Sequence, residues 1–183
     1  MEIKEIEKTE VLKGGEFLVK ETNAKDVFIR EEFGEEQIMM LNATEEFSKI
    51  EIKPNIMRFE EKDYALVESL MRKAGQLGLL AVSVPEKYKG LGMGFNTGML
   101  ICEEISSLTG SMATAFGAHT GIGTLPILLY GTEEQKNYYL PKISSGEWIS
   151  CYNLTEPDAG SDANSGKTKA VLTSDGEHYE ITG

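Results

Sequence analysis

Cysteine is scarce: Cys102 and Cys151 are the only two in 183 residues. That is too few for a disulfide framework or a cysteine metal cluster, so a reducing compartment is the default and the chain is expected to be cytoplasmic. Positive charge is short as well, with 18 Lys and Arg against 30 Asp and Glu, a net charge of −12. That deficit argues against nucleic acid and anionic membranes as partners, because both demand basic surface. It leaves room for a phosphate-bearing ligand, which needs only a local pocket. No apolar run reads as long enough to span a bilayer. Residues 1–8 alternate charges. They have neither the apolar core of a secretory signal nor the arginine-rich, acid-poor character of a transit peptide. No repeat or low-complexity tract is visible.

What is present is a globular balance, 40% hydrophobic and 26% charged, enough for one domain with a real core or one domain plus a fragment. Residues 1–34 read as an acidic arm broken at Gly14-Gly15. It is expected to lie extended on the body, anchored by residues 17–19 and 27–29. Residues 35–147 read as a helical domain. The first helical stretch, to about Asp63, has Ile38, Leu41, Ile50 and Met57 as inward candidates, with a kink or stop at Pro54. A clearer helix over 64–77 carries Leu66, Val67, Leu70, Met71, Ala74 and Leu77 at three-to-four spacing, closed by Gly78. A buried connector and a glycine-rich loop, 85–94, follow. Asn96 or Thr97 is then expected to cap a helix. Ser111 opens the most apolar helix, running past Pro126 to Tyr130. Thr132 and Gln135 form a capping box for the last helix.

After Gly146 the period changes from 3.6 to 2. Residues 148–154 and 168–173 read as strands, 174–177 as a turn, and 178–182 as a returning strand. Two or three strands alone are marginal, so residues 148–183 are expected to be the start of a β domain that continues beyond this sequence.

The run with most chemistry is Tyr152-Asn153-Leu154-Thr155-Glu156-Pro157-Asp158-Ala159-Gly160-Ser161-Asp162. It combines hydroxyls, an amide, a proline-stiffened bend and Gly160, where backbone can approach a ligand closely. An ordinary connection, with Thr, Glu and Ser satisfying backbone groups, is the plainer alternative. A calcium loop fails because Gly160, Ala163 and Lys169 stand where the pattern needs an oxygen ligand, glycine and bidentate glutamate. Gly90, Gly92 and Gly94 lack the dinucleotide spacing and read as a turn. His119 reads as a packing residue, and both cysteines as inert buried thiols. The small residues Ala113, Ala115, Gly117, Ala118, Gly121 and Gly123 fit either close helix packing or the wall of a slender cavity.

Residues 152–162 resemble the flavin-binding signature of acyl-CoA dehydrogenases: aromatic-x-Leu/Val-Thr-Glu-Pro-x-Ala/Ser-Gly-Ser-Asp. The turn at 84–92 is similar to that family's Pro-Glu-x-Tyr-Gly-Gly-x-Gly, with Lys89 in place of a usual glycine. Residues 117–123, 130–136 and 139–142 also look familial and are closest to the very-long-chain branch. The resemblance covers about residues 32–183. It implies a mainly α chain: the N-terminal helical bundle of the family, then the first strands of an incomplete antiparallel β domain.

It also implies FAD and an acyl-CoA substrate, oxidised to the trans-2-enoyl-CoA in fatty acid β-oxidation. Electrons would pass to an electron-transfer flavoprotein, and the full-length protein would be a homo-oligomer. Candidate flavin contacts are Tyr152, Asn153, Leu154, Thr155, Glu156, Pro157, Gly160 and Ser161, with Glu156 and Asp162 expected to brace the loop. Ser161 would also meet the acyl-CoA. Thr114, Ala115, Ala118 and Ile122, which share a helical face, would border the acyl chain, and their small members suit a long chain. No residue here matches the family's catalytic glutamate, so the chain is expected to be inactive alone. A non-catalytic acyl- or partner-binding module, or an oxidase-type flavoenzyme, remains an alternative.

Overall fold

The computed structural model describes Leu12 and residues 14–183. The rules that build it are plainest in helix α3 (Tyr64–Gln76). The Asp63 side chain caps it by accepting from the Leu66 N–H at 3.0 Å. That bond, with Arg58 at 2.6 Å, holds the Asp63 carboxyl below the usual carboxylate range. Gly78, left-handed at φ 77°, closes the helix. Between these ends Leu66, Leu70, Met71 and Ala74 are buried. Leu77, expected inward, lies just past the last turn and is half exposed.

Helix α1 (Glu35–Phe47) runs into a wide π turn (Ser48–Ile52) and a tight turn (Lys53–Asn55) before α2 (Ile56–Glu60). The break falls at Pro54, which has no N–H to give. The wide turn also rotates the inward face of the chain that follows it. Of the four expected inward residues only Leu41 is buried; Ile38, Ile50 and Met57 are 37%, 58% and 70% exposed. Phe47, Ile52 and Phe59 take the core positions instead.

Helix α4 (Phe95–Ser106) begins after Gly94, not at Asn96 or Thr97. Thr97 is buried, and its hydroxyl accepts from the Gln37 amide of α1 at 3.1 Å, so it joins two helices rather than capping one. Helix α5 (Gly110–Ala118) is capped by Thr109, widens into a π turn (His119–Gly123), and continues as α6 (Leu125–Tyr130). Contrary to the expectation from sequence, the combined Gly110–Tyr130 helix is long and apolar enough, at mean hydropathy 1.2, to cross a membrane by length and composition. Here Met112, Phe116 and His119 are buried among the other helices. Helix α7 (Glu133–Ser144) opens on the expected capping box. The Gln135 N–H donates to Thr132 at 3.2 Å, and the Thr132 N–H to Gln135 at 2.9 Å.

The main core joins Phe47, Ile52, Leu70, Met71, Leu80, Ile101, Ile105, Met112 and Phe116; a smaller cluster of Val84, Tyr88 and Leu140 lies beside α7. The glycine-rich loop folds back on the segment before it. Gly90, Leu91, Gly92 and Met93 donate their N–H groups to the carbonyls of Pro85, Ala81, Val84 and Val82. Those donors are spent internally, which is the turn role expected of them. Lys89 sits in the left-handed region at φ 64°, where its family-typical glycine would be unstrained.

Strands β1 (Lys169–Leu172) and β2 (Tyr179–Thr182) pair antiparallel, Lys169 opposite Thr182 and Leu172 opposite Tyr179. The strand expected over 148–154 does not form. The Trp148 N–H donates to the Lys142 carbonyl and the Ser150 N–H to His119, so helices, not a strand, take these donors. The described part of the arm is not extended. It coils through tight turns at Glu16–Leu18, Ala24–Asp26 and Arg30–Glu32. Phe17, Leu18 and Val19 are exposed, and none of them joins the core clusters of the described residues. The hold on α4 comes from Arg30, 3.3 Å from Glu103, beside an edge-on Phe28–Phe33 pair. Residues 1–11 and Lys13, also assigned to the arm, lie outside the described residues.

Candidate functional site

Two features stand out: a cleft walled in part by the His119–Gly123 π turn, and an exposed loop that begins two residues after Ser150, which contacts the same turn. The cleft, about 320 Å³, is walled by Leu80, Val84, Met93, Phe95, Gly98, Met99 and Cys102, and opposite them by Gly117, Thr120, Gly121, Thr124 and Leu125. Glycine inside a helix costs about 1 kcal/mol relative to alanine. Close packing justifies that cost at Gly123, where an added Cβ would come within 2.5 Å of Ser150 Oγ. At Gly117 and Gly121 an added Cβ would meet nothing within 4 Å. Their bareness serves no packing among the described residues; it keeps the cleft open.

The residues expected to border the acyl chain are on other faces. Thr114 is exposed, Ala115 packs on the main core, Ala118 is half-buried and Ile122 is 56% exposed. None of the four lines the cleft. Helical spacing shows that residues share a face, not which neighbour the face meets, and the π turn shifts the phase before Ile122. Gly117 and Gly121 stood among the small residues noted in the sequence, Thr120 within the familial run 117–123 and Cys102 as an inert thiol; Thr124 and Gly98 carried no signal.

In the loop, Tyr152, Asn153, Leu154, Thr155, Gly160 and Ser161 are all exposed. Among the described residues no hydrogen bond engages the Thr155 hydroxyl or the Leu154 and Thr155 N–H groups. Pro157 and Asp158 form a tight bend between Glu156 and Ala159, whose N–H groups donate to each other's carbonyls at 3.2 and 3.1 Å. The Glu156 carboxylate accepts from the N–H groups of Lys167 at 2.6 Å and Thr168 at 3.1 Å. These bonds, the Lys167 one foremost, hold it below the usual carboxylate range and tie the loop to the base of the hairpin. Asp158 adds an ion pair to Lys167 at 2.8 Å. Asp162 braces through its carbonyl, which accepts from Ser165 N–H and hydroxyl, rather than through its carboxylate.

Cys151 is exposed and Cys102 half-buried, so neither is the fully buried thiol expected. His119, by contrast, is the buried packing histidine expected. Its ring meets the Ile143 carbonyl through Nε2 at 3.0 Å, and its Nδ1 accepts from the Ser150 N–H at 3.1 Å.

Residues 34–147 match the model of the acyl-CoA dehydrogenase N-terminal domain. The chain belongs to the acyl-CoA dehydrogenase family. Across 174 residues it is 44% identical to a probable acyl-CoA dehydrogenase of Bacillus subtilis, covering 95% of this chain and 29% of that protein. It is 34% identical over 150 residues to the mitochondrial isovaleryl-CoA dehydrogenase of Bos taurus, covering 81% of this chain and 35% of that one. Among solved structures, the acyl-CoA dehydrogenase of Bacillus anthracis complexed with FAD superimposes with a TM-score of 0.88 at 43% identity. That match covers 94% of this chain and 29% of the other. The chain thus spans about a third of the length of these relatives, and its mainly helical fold with a two-stranded hairpin is that of the family's N-terminal region.

Proposed function

We propose that this chain forms the acyl-binding helical body and one edge of the flavin site of an FAD-dependent acyl-CoA dehydrogenase. The substrate is a long-chain acyl-CoA of the kind oxidised in fatty acid β-oxidation, and an electron-transfer flavoprotein is the electron acceptor. The observation that carries this reading is the cleft kept open by Gly117 and Gly121, next to the exposed loop of the flavin signature.

The loop fits FAD by its donor set. Gly160 is not in the left-handed region, and an added Cβ there would meet nothing. Neither backbone conformation nor packing among the described residues asks for glycine there, which leaves room for close approach of a ligand. The Thr155 hydroxyl and N–H can donate to the polar edge of the flavin ring, and Tyr152 and Leu154 supply apolar walls. Ser161 offers a hydroxyl to the acyl-CoA. Glu156, whose carboxylate accepts from Lys167 and Thr168, sets the loop's shape. When bound, FAD supplies the acceptor for the hydride that leaves the β carbon of the substrate. The chain's own part is to hold the acyl tail in an apolar cleft away from water, so that the thioester end is presented in one orientation.

The test is a chain-length series from butyryl- to palmitoyl-CoA with the full-length enzyme. Each further methylene buried contributes about 0.8 kcal/mol, a roughly fourfold gain in specificity constant, until the cleft is filled. Gly117→Leu occupies the cleft and should depress palmitoyl-CoA while sparing butyryl-CoA. Equal depression of all lengths, together with a lower melting temperature, would mean that the side chain merely overpacks the helix.

A further inference from the structure

We propose that His119 is a positioning residue: it clamps Ser150 and so holds the start of the 152–161 loop in register with the cleft wall. The loop is taken here as the flavin edge, as above. The His119 ring is fully buried. Its Nε2 faces the Ile143 carbonyl of α7, and a carbonyl can only accept, so the proton is on Nε2. Nδ1 is then an acceptor, and the Ser150 N–H donates to it at 3.1 Å. Ser150 is held twice more. Its hydroxyl donates to the His119 carbonyl at 3.0 Å, and its backbone lies in a notch that any side chain at Gly123 would close. Thr124 joins the same centre, its hydroxyl donating to the His119 carbonyl at 2.6 Å.

The π turn that carries this clamp also faces the cleft, through Thr120 and Gly121, and Thr124 just after it lines the cleft too. One turn of helix therefore both walls the cleft and grips the segment leading to the loop. Thr155 is five residues beyond Ser150, so the clamp keeps it within about 17 Å of that point even if the chain between is fully stretched. A histidine needed only for packing would occupy the same volume with its nitrogens satisfied anywhere. Here one nitrogen faces the body and the other faces the segment that must be placed.

The two nitrogens can be separated experimentally. His119→Asn keeps an acceptor near the Nδ1 position and gives up the Ile143 bond. His119→Gln keeps a donor near the Nε2 position and gives up Ser150. In the 183-residue chain, hydrogen exchange of the Ser150 amide should quicken by about tenfold in His119→Gln, the loss of one buried hydrogen bond, and by less than about threefold in His119→Asn. In the full-length protein with FAD, the visible flavin spectrum should change in His119→Gln and return toward wild type in His119→Asn. A clamp that is only structural makes both variants follow their melting temperatures with no such ordering, and that result overturns the proposal. Gly123→Ala leaves His119 untouched but displaces Ser150. It should quicken exchange of the same Ser150 amide, and unchanged exchange there also overturns the clamp. If the wild-type full-length protein takes up no FAD, the functional reading fails, while the Asn-versus-Gln ordering in exchange still decides for or against the clamp.

Discussion

Helix α3 hides Leu66, Leu70, Met71 and Ala74 inside the body, whereas β1 and β2 leave Val171, Leu172, Tyr179 and Ile181 between 51% and 71% exposed. The body satisfies its backbone within each helix and needs neighbours only for side chains. The hairpin satisfies one edge of each strand and has no apolar partner for either face among the described residues. A two-stranded ribbon of this kind is marginal by itself. What holds it in place is local: its turn, and the Glu156 carboxylate gripping its base. The same contrast runs through the site. The cleft is built from the rigid body, and the loop is built from the lightly held tail, with the His119–Ser150 contact between them.

The sharpest way to break that comparison is to remove equal side chains from each part. Leu70→Ala, at a site 1% exposed, should cost about 3 kcal/mol in a denaturant melt. Leu172→Ala, at a site half exposed, should stay within about 0.5 kcal/mol. Similar losses would show that the hairpin is packed as the body is.

A smaller effect of opposite sign is expected in the body. Lys89→Gly relieves a left-handed residue at φ 64° and should raise stability by about 1 kcal/mol, read as a higher melting temperature. Gly90→Ala next to it should lower stability, since its Cβ would strike the Val84 carbonyl.

Acid should distinguish the two parts as well. Burial pushes the His119 pKa below its ordinary 6.5, against a smaller opposing pull from the Ile143 bond. The unfolded chain therefore binds the proton more readily than the folded one. The stability that neutral His119 contributes is fully present above pH 6.5 and declines as pH falls below it toward the lowered value. Melts between about pH 7.5 and pH 5 should show this slope in wild type and a weaker one in His119→Asn, which cannot titrate.

The smallest effect on the body is expected from Glu156→Gln. Exchange of the Lys167 and Thr168 amides should quicken while the melting of the body stays put. In wild type the same loosening should appear as pH drops below 4.5 and through the lowered Glu156 value, because the carboxylate brace is present above that range and lost beneath it. A body that melts earlier in Glu156→Gln would mean that the tail carries more of the fold than its exposure suggests.

Much was legible in the residues alone. Asp63 and Gly78 bracket α3, Thr132 and Gln135 start α7, and the turn at 174–177 sets the hairpin, all within a residue or so of where the sequence places them. The family was legible as motif. Exposures in the stretch before α3 were not: Ile50 and Met57 read as inward because a regular 3.6 period was carried through a π turn and a proline. Residues 148–154 read as a strand because they are rich in apolar and aromatic side chains, yet Lys142 and His119 take the N–H groups of Trp148 and Ser150.

The division has a physical basis. Caps, turns and glycine conformations act between residues a few positions apart, so the sequence by itself determined where helices start and stop, where the chain reverses, and which loop carries ligand-type donors. Facing depends on partners far along the chain. Only the tertiary structure decided that Gly117, Thr120, Gly121 and Thr124, rather than Thr114, Ala115, Ala118 and Ile122, wall the cleft. Opposite faces of one apolar helix look alike in sequence, and the side that stays open is set by the helix that fails to pack against it.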